Sequence, residues 1–166
     1  MYRVRPVRVE DISAIIRIYN DYIVNTVISF EVEPVSEAEM AQRINKVQTL
    51  ALPWLVLETE QGVVGYAYAT RWKARYAYRF AVEITIYLDQ AQTGKGLGLR
   101  LYQALFNELK QASVHAVLGC ITLPNPASIV LHEKMGMQPV AHFKAVGRKF
   151  EQWLDVGYWQ IILGEE

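Results

Sequence analysis

The sequence contains a single cysteine, Cys120, among its 166 residues, so the chain cannot form an internal disulfide. A reducing compartment is therefore the simpler expectation for this protein. The sequence also lacks an excess of charge of either sign, because 17 Lys and Arg residues balance 17 Asp and Glu residues. Proteins that bind nucleic acid usually carry a basic excess that neutralises phosphates, so we expect no nucleic-acid partner.

Long apolar runs are missing as well. The longest uncharged stretch, 111–131, contains Gln, Ser, His, Asn and two Pro residues, which a lipid-exposed helix tolerates badly. The opening residues, 1–6, lack the apolar segment of a secretory signal. We therefore expect no membrane association and a cytoplasmic location.

The composition favours one folded domain over residues 1–166. Hydrophobic residues make up 52% of the chain and charged residues 20%, which allows a sizeable core. Disorder as the overall state requires the opposite balance, with low hydrophobicity and high net charge. The chain is therefore expected to fold as a unit.

Hydrophobic spacing predicts a mixed α/β sheet with helices on both faces. Asp11 is expected to cap the first helix, and Ser36 and Glu39 form the pattern of a capping box at the second. A third helix carries leucines four residues apart from Leu97 onwards, and a fourth follows Pro126. Alternating or β-branched segments predict strands over 2–9, 54–58, 63–70, 82–88, 116–122, 138–146 and 156–163.

The strongest chemical signal is a glycine-rich turn, Thr93-Gly94-Lys95-Gly96-Leu97-Gly98, between a predicted strand and a predicted helix. Alternate glycines remove the side chains that would hold an anion away from the backbone. The helix start adds unpaired N–H groups and the positive end of its dipole. A pyrophosphate fits this pattern, with Lys95 adding positive charge.

Three other interpretations of this turn compete. A Walker A loop requires Ser or Thr after its Lys, whereas Gly96 follows Lys95 here. A Rossmann fingerprint lies early in a βαβ unit, and this turn lies past mid-chain without a convincing second half. A flexible turn that merely starts a helix stays open from the three glycines alone.

The turn and its surroundings resemble the acetyl-CoA-binding segment of the GNAT N-acetyltransferase superfamily. The stretch 125–128, with His132 and Gly136 after it, resembles the next segment of that superfamily. Similarity to the phosphinothricin N-acetyltransferase branch extends over nearly the whole chain. It is carried by Tyr22-Ile23, Phe30, Pro53-Trp54-Leu55-Val56, Trp72-Lys73-Ala74-Arg75, Val82-Glu83, Leu123-Pro124-Asn125, His132-Glu133 and the stretch 153–160.

The resemblance implies a mostly antiparallel twisted sheet and acetyl-CoA as the co-substrate, with no metal. The residues expected to hold acetyl-CoA are Ile86, Tyr87, Leu88, Gly94, Lys95, Gly96, Leu97, Gly98, Leu99 and Asn125. Thr93, with Gln92 beside it, departs from the Gln or Arg that is usual at its position. Because phosphate contacts of this kind come mainly from backbone amides, we expect this departure to tune affinity rather than abolish binding.

The resemblance assigns Glu83 as the general base and His132 as a second catalytic residue. Amine acetylation requires an ammonium group to lose a proton, and burial among apolar neighbours would raise the ordinarily low pKa of Glu83 towards that task. Without the resemblance, the simpler interpretation of His132 is a core histidine whose ring nitrogens are hydrogen-bonded. Whether it acts as an acid, an orienting group or a partner of Glu83 stays open.

A covalent route through Cys120 is the rival mechanism. Its position in an apolar strand without an adjacent cation predicts a buried, inert thiol. Direct transfer of the acetyl group is therefore expected.

Substrate capture is expected from residues that the resemblance marks, namely Phe30, Lys73, Ala74, Arg75, Glu83, Ile84 and Thr85. An Arg side chain can bind the α-carboxylate of an amino acid bidentately. A solvated loop is the alternative for the basic run 73–79, and the aromatic residues interleaved between 72 and 80 weigh against it. Lys149 and Trp153 are weaker candidates for the pocket wall.

These features favour N-acetylation of the α-amino group of a small amino acid. The resemblance implies phosphinothricin, methionine sulfoximine or methionine sulfone as acceptors, a role in detoxification and herbicide resistance, and a homodimer. A polyamine or aminoglycoside would call for an acidic cleft, whereas the segment 72–79 is basic; a peptide N-terminus is a further alternative acceptor. A non-catalytic acyl-CoA-sensing module is the alternative outside catalysis, and it would need neither Glu83 nor His132.

Overall fold

The computed structural model describes residues 1–164. Within this range the chain forms seven strands: β1 (Arg3–Pro6), β2 (Trp54–Thr59), β3 (Gly62–Arg71), β4 (Ala81–Leu88), β5 (Ala116–Leu123), β6 (Gln138–Lys149) and β7 (Gln152–Ile162). Its α-helices are α1 (Ile12–Asn25), α2 (Glu37–Thr49), α3 (Leu97–Gln111) and α4 (Pro126–Lys134).

The strands form one sheet in the order β1-β2-β3-β4-β5-β7-β6. Neighbouring strands are antiparallel except β4 and β5, which are parallel. These two strands pair only as far as Ile84 with Gly119, although each continues for four more residues. The mixed, mostly antiparallel sheet is therefore confirmed, and a cleft opens in its middle where β4 and β5 separate.

A helix layer covers each face of the sheet, as predicted. The leucine face of α3 is fully buried against β4, with Leu101 and Leu105 in contact with the cluster that contains Val82. On the opposite face, α1 and α2 bury Ile15 and Met40 against β2 and β3. None of the helices within residues 1–164 combines the length and the apolar character that crossing a membrane requires.

The first strand and the first helix cap differ from the prediction. β1 ends at Pro6 rather than at residue 9, and Asp11 makes no capping hydrogen bond to α1. Its two carboxylate oxygens accept instead from the buried Arg5 guanidinium, at 2.8 and 2.9 Å, and one of them also accepts from the Arg8 amide. A buried cation requires a carboxylate partner, and this requirement outweighs capping.

The predicted capping box of α2 forms only in part. Ser36 Oγ accepts from the Glu39 amide at 3.1 Å, which confirms the cap itself. The Glu39 carboxylate turns the other way and accepts from Arg43 Nε at 3.0 Å. An ion pair one helical turn along thus replaces the second half of the box.

The last two strands are longer than predicted. β6 continues to Lys149 rather than to residue 146, and β7 begins at Gln152 rather than at residue 156. Phe150 and Glu151 alone connect them, with φ angles of 49° and 61°. Two consecutive left-handed residues make a tight hairpin turn, for which Asn and Gly are the usual signal. Because neither is present, the sequence does not reveal the turn.

Candidate active site

The cleft between β4 and β5 leads into a cavity of about 440 Å³, called the central cavity below. Both predicted catalytic residues line it, together with several predicted binding residues. Its walls include Phe30, Glu31, Glu83, Ile84, Thr85, Ile86, Tyr87, Tyr102, Cys120, Asn125 and His132. The fold therefore brings together residues from four parts of the chain that are distant in sequence.

Glu83 lies on β4 immediately before the point where the two strands separate. Its neighbours Val82 and Ile84 belong to the core beneath α3, so alternation along the strand turns Glu83 towards the opposite face. Burial raises the pKa of its carboxyl group above the ordinary value. A hydrogen bond from Tyr158 and the positive charge of Lys73 oppose this rise and favour the carboxylate. The raised pKa makes this carboxylate a stronger proton acceptor than an exposed glutamate.

His132 reaches the central cavity from the α3 and α4 face of the sheet and is 3% exposed. Its Nδ1 lies 2.7 Å from the Ser128 carbonyl oxygen, and its Nε2 lies 3.2 Å from the Tyr102 hydroxyl. A carbonyl can only accept, so Nδ1 carries the proton and Nε2 accepts from Tyr102. Burial lowers the pKa of His132, which favours this neutral form.

No hydrogen bond joins Glu83 and His132 within residues 1–164, since the partner of Glu83 is Tyr158 and those of His132 are Tyr102 and Ser128. The two predicted catalytic residues face the cleft from opposite sides of the sheet. The carboxylate of Glu83 thus faces the cleft from one face of the sheet, and the neutral imidazole of His132 and the phenol of Tyr102 face it from the other.

The glycine-rich turn lies at the N-terminus of α3. Gly94 and Gly96 both have φ of 75°, a conformation that favours glycine, and the space where a Cβ would stand is open at each. The first-turn amides of α3 have no acceptor inside the helix. Lys95 Nζ donates to Gln92 Oε1 at 2.9 Å at the edge of the turn. Open backbone, free amides and a nearby cation fit a diphosphate.

The other residues predicted to hold acetyl-CoA extend from this turn to the cleft. Ile86, Tyr87 and Leu88 form the end of β4 that no longer pairs with β5. Leu97 and Gly98 are buried in the first turn of α3, and Leu99 is half-buried beside them. Asn125 lies across the cleft, where its Oδ1 accepts from the Ser128 amide at 3.2 Å and caps α4.

The predicted substrate residues fall into three places. Phe30, Ile84 and Thr85 line the central cavity with Glu83, as listed above. Lys73 and Ala74 line a neighbouring cavity instead. Arg75 is exposed and lines neither of them, so its part in substrate binding stays a prediction.

The loop 26–36 forms one wall of the central cavity and is fastened to the distant strand β6. The Phe30 ring packs so closely on Gly147 that the site of a Cβ there is already filled. Lys149, a predicted wall residue, is buried and donates from Nζ to the Ser29 carbonyl oxygen at 2.7 Å. Lys149 therefore holds the wall in place, whereas Trp153, the other weaker candidate, is 66% exposed and lines neither cavity.

The expectation of a buried Cys120 is wrong. Its side chain is exposed to the central cavity, because β7 alone pairs with this part of β5 after β4 has separated. Partial desolvation within the cleft raises the pKa of its thiol. The thiol therefore stays protonated near neutral pH, which makes it a poor nucleophile although it can be reached.

Two tyrosines at the site were not predicted from the sequence. Tyr102 lies on the buried leucine face of α3. A tyrosine on such a face needs a hydrogen-bond partner for its hydroxyl, so the sequence could have indicated Tyr102 as a site residue. Tyr158 lies opposite Cys120 on β7, where burial and the charge of the nearby Glu83 raise the pKa of its hydroxyl. Its position depends on strand pairing, for which the sequence offers no local signal. Within residues 1–164, no group of three acidic, His or Cys side chains is placed to hold a metal ion.

Comparison with known proteins agrees with this geometry. A family model for the acetyltransferase (GNAT) domain matches residues 4–157. A phosphinothricin N-acetyltransferase of Streptomyces viridochromogenes is 38% identical over 157 residues, which cover 95% of this chain and 85% of the relative. An L-methionine sulfoximine/L-methionine sulfone acetyltransferase of Pseudomonas aeruginosa is 34% identical over 161 residues, which cover 96% of this chain and 94% of the relative.

The fold agrees equally well with solved structures. The crystal structure of a GNAT superfamily phosphinothricin acetyltransferase from Sinorhizobium meliloti in complex with AcCoA superposes with a TM-score of 0.95 at 36% sequence identity. The superposition covers 98% of this chain and 89% of that one. The chain therefore belongs to the GNAT family and is an acetyl-CoA-dependent N-acetyltransferase.

Proposed function

We propose that the enzyme acetylates the α-amino group of a small amino acid such as phosphinothricin, methionine sulfoximine or methionine sulfone, by direct transfer. The observation that carries this proposal is Glu83, a half-buried carboxyl group with a raised pKa inside the cleft between β4 and β5. The activities printed for the two relatives above support the choice of acceptor, because both relatives match nearly all of this chain.

Glu83 is the proposed general base. Acetyl-CoA supplies the activated acetyl group as a thioester, whose C–S bond breaks as the C–N bond forms, and CoA leaves as a thiol with the second proton that the nitrogen loses. The Glu83 carboxylate accepts the proton that the acceptor ammonium must lose before the nitrogen lone pair becomes available. Tyr158 and Lys73 hold that carboxylate in its ionised form until the proton arrives.

His132 is proposed to orient Tyr102 rather than to deliver a proton itself. The proton on Nδ1 is held by the Ser128 carbonyl, and Nε2 fixes the direction of the Tyr102 hydroxyl. Burial raises the pKa of Tyr102, so its hydroxyl keeps its proton. Because its one proton is donated to Nε2, the Tyr102 oxygen faces the cavity as a hydrogen-bond acceptor whose position is set in advance.

A panel of acceptors tests the proposed substrate class. We expect release of CoA from acetyl-CoA with phosphinothricin, methionine sulfoximine and methionine sulfone, and background rates with spermidine, an aminoglycoside and a short peptide. The reason is that the positive charge of Lys73, which acts on Glu83, would repel a polycation. The measurement is thiol release at saturating acetyl-CoA.

Turnover confined to spermidine, the aminoglycoside or the peptide would contradict the amino-acid proposal. Saturable binding of acetyl-CoA without turnover of any amine would instead favour a non-catalytic acyl-CoA-sensing module. The ordinary amino acids belong in the same panel as matched acceptors, since they share the α-amino and α-carboxylate groups and differ only in the side chain.

We also infer that the enzyme is a homodimer that uses the surface formed by β6 and β7. β6 is an edge strand of 12 residues, and long exposed edges invite pairing with another chain. Phe143, Val146, Phe150 and Trp153 on this ribbon are each about half exposed or more. Large apolar side chains grouped on one exposed surface favour a protein interface.

Replacing Trp153 with Glu tests the dimer, because a charge at the centre of an apolar interface costs several kcal/mol. We expect sedimentation velocity to show a dimer for the natural protein and a shift towards monomer for Trp153→Glu. Val9→Glu is the matched control, since Val9 is a still more exposed apolar residue outside the ribbon. A monomeric natural protein, or equal effects of the two variants, would contradict the proposal.

A further inference from the structure

A second cavity, of about 520 Å³, lies beside the central cavity and shares only Tyr68 with it. We call it the side cavity. It lies between the C-terminal half of α2, the strands β2 and β3, and the residues that follow β3. Its floor contains Val47 and Trp54, which are 2% and 3% exposed. A buried apolar floor under an open rim is the usual form of a small-molecule site.

The rim of the side cavity carries positive charge only. Arg43, Lys46, Arg71 and Lys73 line it, and no Asp or Glu does. Arg43 is engaged by Glu31, whose carboxylate it contacts at 2.6 Å. Lys46, Arg71 and Lys73 have no carboxylate within salt-bridge distance in the part of the chain that the structure describes. The charge of Lys73 also acts on Glu83, so Lys46 and Arg71 are the two cations left to favour an anionic ligand.

Trp54 gives the floor of the side cavity an aromatic ring, and its unpaired indole N–H lies beneath the surface. Its Nε1 is buried and has no acceptor within residues 1–164, and its ring stacks on Tyr68 with 4.0 Å between centroids. The Thr70 hydroxyl belongs to the same wall. The wall thus offers a hydroxyl group beside a flat aromatic surface.

The charges of the two cavities select different ligands. Glu31 and Glu83 line the central cavity, so an ammonium group can be accepted there. The side cavity has no carboxylate, and its cations would repel an ammonium group. The Glu31–Arg43 ion pair and the Tyr68 ring stand between the two. A ligand of the side cavity would therefore lack the amine that acetylation requires.

We propose that the side cavity binds a small monocarboxylate that has an apolar body and no amine, independently of the acetyl acceptor. Lys46 and Arg71 hold the carboxylate at the rim, and the apolar body rests on Trp54 and Val47. This site lies outside the acetyl-transfer reaction, because its ligand has no nitrogen to acetylate. Ligand binding at this site can therefore be tested separately from the proposed acetylation activity.

Phenylacetate is a suitable probe, and the indole N–H resonances of the full-length ¹⁵N-labelled protein report where it binds. We expect the Trp54 resonance to shift saturably with a Kd of about 1 mM or tighter, which corresponds to about 4 kcal/mol. The resonance of Trp153, which lines neither cavity, should stay in place. A Trp54→Phe variant assigns the Trp54 peak. Phenylacetamide and 2-phenylethylamine share the shape of the probe but lack its charge, so neither should cause the shift.

Two double variants separate site binding from a general charge effect. Lys46→Gln/Arg71→Gln should weaken phenylacetate binding at least about tenfold, a change of about 1.4 kcal/mol. Lys110→Gln/Lys134→Gln removes the same charge from exposed positions outside both cavities and should leave the affinity unchanged. Absence of a Trp54 shift, an equal shift with phenylacetamide, or equal weakening by the two double variants would overturn the proposal.

Discussion

Replacing Glu83 with Gln is expected to lower kcat by about 10²–10⁴-fold, the range usually contributed by a positioned general base. Gln keeps the size and a hydrogen-bonding oxygen, but it cannot accept the proton of an ammonium group. Binding of acetyl-CoA should persist, because the turn at 93–98 and the end of β4 lie outside the substitution. Initial rates of CoA release, together with calorimetric titration of acetyl-CoA, make both measurements.

The pH dependence gives this prediction an internal control. Burial raises the pKa of Glu83, so the natural enzyme should lose activity as the pH falls through that raised value and the carboxylate becomes protonated. The residual activity of Glu83→Gln should lack this acidic limb. Glu108→Gln, an exposed substitution on α3, is the matched control and should change neither the rate nor the limb. Retention of the limb in Glu83→Gln would assign the base to another group.

Replacing Gly119 with Ala is expected to reduce both stability and turnover. A Cβ at this position would lie 2.6 Å from His132 Cδ2 and 2.7 Å from Nε2, so the imidazole would have to move. Overpacking of this kind typically costs about 1–3 kcal/mol. The melting temperature should fall by roughly 3–10 °C for a chain of this size. Because His132 orients Tyr102 in the proposed mechanism, kcat should fall at least about tenfold.

A double variant distinguishes this clash from a general defect in β5. In Gly119→Ala/His132→Ala the ring that the new methyl group meets is gone. The double variant should therefore be as stable as His132→Ala alone, which is a strongly non-additive result in thermal unfolding. Additive losses would show that the contact between Gly119 and His132 does not carry the effect.

Local patterns predicted the helices well, because the residues of one helix face recur at a regular spacing within a few turns. Leu97, Leu101, Leu105 and Leu109 of α3 recur every four residues, and all four are buried. The Ser36 cap likewise depends on a contact three residues away. Asp11 failed as a cap because it pairs with Arg5, which lies six residues earlier in β1 and is also held by Glu58. The pattern of the helix itself gives no sign of a partner in the preceding strand.

The sequence predicted which residues line the site better than it predicted how they are arranged. Resemblance pointed to Glu83 and His132, and both line the central cavity. Their approach from opposite faces depends on where β4 and β5 stop pairing, which no local pattern encodes. The exposure of Cys120 follows from that same separation, so it was predicted wrongly. The side cavity joins α2 to residues that follow β3, and the sequence offers no sign of that contact.

The position of β7 has a consequence for synthesis of the enzyme. The sheet places this strand between β5 and β6, so β6, whose last residue Lys149 fastens Ser29, joins the sheet only through β7. A ribosome-bound chain that has not yet released β7 has neither a complete sheet nor this wall of the central cavity. Activity should therefore be acquired only after the C-terminal strand has left the exit tunnel, so incomplete nascent chains cannot consume acetyl-CoA.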